Sequence, residues 1–525
     1  MTESIAQQEK WEFKINPWIT MIPIMAAIFM YIIDETISNV SLPYMAGSFS
    51  VSRQESTWIV TCYLVSSGIM IRAVDFFCKL FGRKQFFLIS IVIFTVASLL
   101  CGLSTSMPMI IFSRILQGIG GGGIMPIGQA LIFEIFPKEK LPAAMAVFGL
   151  GIVLAPIAGP VLGGWITENW SWHYIYFINI PIGILTYYLS VLYIEEPPYS
   201  RRQPGVKMDY SGFFFLALWL ITLQVVLDKG NDADWFNAEW ICQLFTVSVI
   251  AFFAFVFIQV KKMKTGNGLI DLSVLLNKNY FFGTLGQVIM VALMLSSAAF
   301  LPSMLQNLMG YTSYLSGLSM VPRGCGCLLA SLLVGIVLPI LGARVFIFTG
   351  IFMLGLGSFV FGFINLQIAL TNIALPNFLF GFGMVLAMVP LTNISCTTLR
   401  NEQQTNAAGL QNLLKNVGGA IGTSIATTMI SRFAQVHQMM LIDGLTETNK
   451  VYMDKLHVIT SAFAQHYDIA TATMMSKGQI YNILLQQSTL WGYIETFRFF
   501  ALATVILIPI VFLLKDDSKK SQTVD

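Results

Sequence analysis

Runs of about 20 predominantly apolar residues recur along the whole chain, each long enough to cross a hydrocarbon layer about 30 Å thick as a helix. Fourteen such spans are expected, at roughly 17–42, 56–77, 85–104, 108–133, 142–166, 173–193, 210–228, 239–260, 280–304, 313–340, 344–364, 368–394, 406–430 and 489–514. Of 525 residues, 56% are hydrophobic and 11% charged, against about 25% charged in ordinary soluble domains. That much apolar surface does not fit inside one soluble core, so the expected fold class is an all-α membrane protein. No small-residue cleavage site follows the first run, which is expected to stay as the first helix.

An even number of spans puts both termini on one side, and loop cations choose the side. Of 30 Lys and Arg, 19 fall on the terminal side and six opposite, at Arg53, Lys229, Arg432, Lys450, Lys455 and Lys477. Both termini are therefore expected to be cytoplasmic.

The chain also looks duplicated. Asp75, Lys79, Gly82, Arg83 and Lys84 return 260 residues later as Gly335, Pro339, Gly342, Ala343 and Arg344, each set following a long apolar span. Gly118 and Gly120 in the fourth span return as Gly381 and Gly383. The reading is six helices in residues 1–208, two extra helices in 209–262, and six more in 263–525. Duplicated transporters place the substrate path between their halves.

Several function classes lack their residues. The small net charge of +3 is spread over loops rather than gathered into a basic stripe, which excludes nucleic acid as partner. Gly118 to Gly123 matches GxGxxG in letters, but it lies in an apolar span and not after a strand, so no dinucleotide is expected there. No GxxxxGK[ST] or HExxH sequence occurs, and the seven cysteines lie in or beside apolar segments with no CxxC pair. The chain is read as no enzyme, with no metal and no cofactor.

Ionisable side chains within a membrane are costly, so those that persist are functional candidates. Asp34 and Glu35 are adjacent in the first span, and two neighbouring carboxylates in low dielectric resist ionising together. Either they exchange protons or they simply touch outer water. Arg114, in the fourth span, needs a carboxylate or carbonyl partner; Asp34 and Glu35 are the natural ones, in a coupled or a purely structural bond. Arg72 and Asp75, three apart on one helical face, form either a gate latch or a static ion pair. Glu495 and Arg498 repeat that spacing and are read as mutual neutralisation; Lys415 and Arg323 are the remaining buried cations. Residues 151–164, small and twice proline, read as a close-packed, kinkable fifth helix. Residues 431–488 form a long external segment, either an ordered cap or docking surface or a plain loop.

With these residues in view, the chain resembles the fourteen-helix drug:proton antiporters of the major facilitator superfamily over nearly its whole length. The first-helix pattern runs from Asp34 to Pro43, with Ser38 and Ser41 substituted, and Arg114, Gln117 and Gly118 match the fourth-helix pattern. Ala155, Gly159, Pro160, Gly163 and Gly164 match the antiporter motif with its first glycine replaced. Trp172 with Ile175 to Gly183, Leu227 to Gly230 with Asp234 to Phe236, and Leu301-Pro302 with Gln306 and Gly310-Tyr311 extend the match. The chain departs at Asp75 and Lys79, at Lys415 in place of arginine, and at Phe380 in place of glutamine.

The resemblance implies a major facilitator fold of two six-helix bundles plus two extra helices, and proton-driven export of hydrophobic or amphipathic compounds across a bacterial inner membrane. It also implies a periplasmic adaptor and an outer-membrane channel as partners. Under it, Asp34, Glu35 and Arg114 are the proton-coupling residues. Gln117, Gln306 and Asn412 are amide anchors able to orient an amphipathic ligand. Arg72, Asp75, Gly82, Arg83, Gly159 and Pro160 serve gating. Two other readings stand beside this one: export of a single endogenous metabolite such as a fatty acid, siderophore or lipid precursor, and a membrane sensor without transport.

Overall fold

Asn16 starts the first helix: its side chain accepts from the Trp18 amide and Pro17 occupies the first helical turn, where a missing N–H costs nothing. In the computed structural model, residues 15–137, 140–196, 209–263, 272–397, 399 and 401–514 are described. All regular structure among them is helical. The first part comprises α1 (Pro17–Phe49), α2 (Arg53–Ser56), α3 (Trp58–Phe81), α4 (Arg83–Gly102), α5 (Met107–Ile135), α6 (Leu141–Asn169), α7 (Tyr174–Phe177), α8 (Asn179–Tyr193), α9 (Tyr210–Lys229) and α10 (Glu239–Met263). There follow α11 (Lys278–Asn307), α12 (Ser313–Leu318), α13 (Val321–Leu341), α14 (Ala343–Phe361), α15 (Leu370–Thr397), α16 (Asn401–Ile442), α17 (Lys450–Phe463) and α18 (Ile469–Leu513).

Every expected span is largely helical, 173–193 over α7 and α8 and 313–340 over α12 and α13, and 11 stretches among the described residues are long and apolar enough to cross a membrane. The other expected spans lie on α3, apolar from Trp58 to Ile71, and on α6 and α16. Two of the positions read as repeated share a backbone geometry. Gly82 joins α3 to α4 at φ 92° and Gly342 joins α13 to α14 at φ 82°, a region side-chain-bearing residues avoid. A methyl group on Gly120 would strike the backbone of Ser90 and Phe94 on α4, and one on Gly383 the backbone of Gly350 and Leu354 on α14. Small residues here let helix backbones touch, which is how helices associate where lipid removes the hydrophobic drive.

By packing, the chain forms two compact units. One comprises Met1–Thr284, Thr312–Gly324 and Ile394–Val417; the other Leu285–Tyr311, Cys325–Asn393 and Gly418–Asp525. In the first unit the extra hairpin α9–α10 is no loose insert. Leu216, Trp219, Ala251 and Phe255 share a buried cluster with Val274, Tyr280, Leu410 and Leu413. At its base Asp209 caps α9 through the Gly212 amide and pairs with Lys262 of α10.

In the second unit, segment 431–488 is helical and not an irregular loop. α16 continues to Ile442, α17 follows, and α18 is capped by Asp468, whose side chain accepts from the Thr471 amide, and runs for 45 residues from Ile469. At 1.5 Å per residue α18 is about 68 Å long, roughly twice a hydrocarbon core. Gln438 on α16 donates to the Tyr481 hydroxyl on α18 at 3.1 Å, bracing the two extensions.

Candidate functional site

Arg114 and Gln117 lie three apart on α5 and so share one face. The glycines beside them bring neighbouring helices close: a methyl on Gly121 would come within 2.9 Å of the Tyr31 ring, and one on Gly122 within 2.6 Å of the Ser67 carbonyl oxygen. The GxGxxG-like run is thus a packing surface for α1 and α3. It seats Tyr63 under the Arg114 guanidinium, 4.2 Å from ring centroid to Cζ.

Arg114 and Asp34 are both fully buried and meet at 2.5 Å from Nη1 to Oδ2. Arg114 Nε donates to the Ile59 carbonyl at 3.0 Å, and Nη1 also donates to Gln117 Oε1 at 2.8 Å. Nη2 is buried with no hydrogen-bond partner among the described residues. The other carboxylate oxygen, Oδ1, accepts from Gln117 Nε2 and from Asn179 Nδ2, each at 2.8 Å. Asn179 is held in turn by the Ser98 hydroxyl at 3.0 Å, and Ser98 donates to the Tyr176 carbonyl. Helices α1, α4, α5 and α8 therefore each contribute a group to one buried network around a single carboxylate. Two opposite charges buried in contact, with both carboxylate oxygens hydrogen-bonded, can persist in low dielectric, yet losing either partner strands the other.

The remaining sequence candidates separate. Glu35 is half-buried and close enough to Asp34 and Arg114 to feel their charge, but makes no hydrogen bond among the described residues. Gln117, expected as a substrate anchor, is fully buried with its amide turned onto the ion pair, so it holds Asp34 and Arg114 and meets no open space. Gln306 is half-buried and belongs to the other packing unit. Asn412 is exposed, whereas its neighbour Gln411 is the buried amide, donating to Thr284 at 3.4 Å. The side chains of Arg72 and Asp75 lie outside the described residues. Arg83 pairs with Glu134 on α5 at 3.1 Å beside the Gly82 turn, and Glu495 with Arg498 at 3.1 Å.

Gly159 and Gly163 bring α6 against Thr36 and Ile37 on α1, beside Asp34. On the same helix Gly164 abuts the Ser313 carbonyl, and the Pro160 carbonyl abuts Gly317, both on α12. Glu168 then accepts from the Tyr314 amide at 2.6 Å. Asn179 and Glu168 were not singled out as site residues. Asn179 lies within the stretch from Ile175 to Gly183 that carries part of the family resemblance, and a buried amide in an apolar helix is the signal that marks it.

The model of the Major Facilitator Superfamily matches residues 24–423. The chain is 32% identical over 502 residues to the probable multidrug resistance protein EmrY of Escherichia coli, covering 95% of each. It is 31% identical to the multidrug export protein EmrB of the same organism, covering 82% of this chain and 83% of that one. It is 29% identical to the fatty acid resistance protein FarB of Neisseria gonorrhoeae, covering 95% and 96%. Among solved structures, an inward-facing bacterial homologue of the human lysosomal transporter Spinster superposes with a TM-score of 0.59 at 14% identity, over 94% of this chain and 95% of that one, a likeness of fold. The chain belongs to the Major Facilitator Superfamily, as a transporter related to multidrug and fatty acid resistance proteins.

Proposed function

We propose that this chain exports hydrophobic or amphipathic compounds across a bacterial inner membrane in exchange for protons, with both termini in the cytoplasm. The observation that carries the reading is the fully buried Asp34–Arg114 pair with its converging amides. When Asp34 takes a proton the guanidinium loses its counter-charge, and the four helices around it gain a reason to rearrange. No cofactor is needed, since the gradient drives the cycle. The helical extension over 431–488 offers a surface for a periplasmic adaptor that continues the path to an outer-membrane channel. A narrower reading, favoured by the similarity to the fatty acid resistance protein, makes the substrate an amphipathic carboxylate.

The test is transport by purified protein in liposomes with an imposed pH gradient, across a panel of lipophilic cations, neutral drugs and fatty acids. Wild type moves several classes and Asp34→Asn moves none. Undiminished gradient-driven efflux in the variant would defeat the coupling assignment, and movement of fatty acids alone would select the narrower substrate.

A further inference from the structure

The extra hairpin carries a carboxylate that the transport site does not use. Asp228 is the penultimate residue of α9, and it faces the first turn of α3, against which α9 packs. The Thr61 hydroxyl on α3, itself 7% exposed, hydrogen-bonds the carboxylate. Gln224, one turn back on α9, donates to Oδ1 at 3.1 Å. The other oxygen, Oδ2, is buried with no hydrogen-bond partner among the described residues.

The neighbouring charges do not supply one. Lys229 pairs with Asp232 at 3.5 Å and lies over the Trp58 ring at 5.6 Å. Glu55, on α2, accepts from the Ser52 amide at 2.8 Å and is near enough to Lys229 to share its field. Across the contact, Cys62 on α3 feels the Asp228 charge. A charged oxygen buried without a donor is costly, and protonation removes the larger, charge-borne part of that cost. Asp232, its side chain 27% exposed, lies close enough to interact electrostatically and marks where water reaches the turn. Ionisable groups placed in a membrane span at such cost are candidates for function.

We infer that Asp228 is a second proton-exchange site of this transporter: Oδ2 takes a proton from water at the loop end of α9 and returns it there, so that the α9–α3 contact alternates between a charged and a neutral form. An O–H bond forms on Oδ2 as a hydrated proton at the turn gives up one O–H bond and leaves neutral water, and the reverse step restores the carboxylate and the hydrated proton. The site is separate from Asp34, and it can stand even where the coupling role of Asp34 fails.

Infrared difference spectra of the full chain in liposomes, between mildly acidic and mildly alkaline pH, read protonated carboxyl groups directly. The expected result is a carboxylic C=O band that persists in Asp34→Asn and is lost in Asp228→Asn. Thr61→Val keeps Asp228 and shifts the band to the frequency of a carboxyl with one hydrogen bond fewer, which serves even where Asp228→Asn does not assemble. Spectra of Asp228→Asn that superimpose on wild type, or a band unmoved by Thr61→Val, overturn the assignment. Loss of the band in Asp34→Asn with retention in Asp228→Asn overturns it too and leaves the Asp34 site standing.

Discussion

The Arg114 guanidinium and the Asp34 carboxylate stand 2.5 Å apart with neither side chain exposed, and donors from Gln117 and Asn179 close on the remaining carboxylate oxygen. A buried pair of this kind contributes little net stability, because desolvation offsets attraction, but it is intolerant of losing one member. Structural and functional roles therefore come apart under mutation.

Asp34→Leu and Arg114→Met, made singly, are each expected to destabilise the protein by about 3–5 kcal/mol, since each leaves one uncompensated charge. The double variant is expected to recover most of that loss while gradient-driven efflux stays absent. Thermal unfolding in detergent alongside vesicle transport makes the comparison. A double variant as unstable as the sum of the singles would contradict the pairing, and one that transports would remove the pair from the mechanism.

Asn179 tests whether the carboxylate must be held still. Asn179→Ala removes a donor to Asp34 Oδ1 and frees Ser98, at an expected cost of about 1–3 kcal/mol for a buried charged acceptor left short of a partner. Efflux driven by a pH gradient falls, whereas substrate binding measured without a gradient is unchanged. Equal losses in both would mark Asn179 as a substrate contact.

Much of this was legible in the sequence, and the reason is physical. Long apolar runs have few structural outcomes in lipid, so the spans over α1, α4 and α5 were readable to within several residues. Charge within those runs is rare, which brought Asp34 and Arg114 into view. Glycine in the left-handed region is replaceable only at a cost, so Gly82 and Gly342 carried the duplication. The orientation of amides did not show: Gln117 and Asn412 were both read as ligand anchors, yet one is locked on the ion pair and the other is exposed. Hydropathy falls where a long helix turns more polar, but helix formation does not stop there, so the full lengths of α16 and α18 were unreadable.

Gly164 and Gly149 lie on the same helix in opposite circumstances. A methyl on Gly164 would sit 2.5 Å from the Ser313 carbonyl oxygen and 2.8 Å from Tyr314 Cα, whereas one on Gly149 would meet nothing within 4 Å. Backbone cannot swing aside, so Gly164→Ala is expected to cost about 1–3 kcal/mol by overpacking. Gly149→Ala is expected to be neutral or to gain up to about 1 kcal/mol of helix propensity. Melting temperatures in detergent decide, and transport falls only in Gly164→Ala. Two variants alike in both measurements would rule out the α6–α12 contact.

The base of the extra hairpin gives a pH dependence of known sign. Burial opposes ionisation of Asp209, but Lys262, the Gly212 amide, Ser211 and Gln259 more than offset it and hold the carboxyl below its ordinary value. A carboxyl lowered by folding stabilises the folded state at pH above its ordinary value, and that contribution is lost as pH falls through the folded value. Hydrogen exchange at the start of α9 and the end of α10 is therefore expected to be slow near neutrality and to accelerate on acidification. Asp209→Ala removes cap and partner together, costs about 1 kcal/mol locally, and makes exchange fast at every pH. Exchange in wild type that accelerates toward alkaline pH would reverse the sign and dismiss the Asp209–Lys262 clamp as its source.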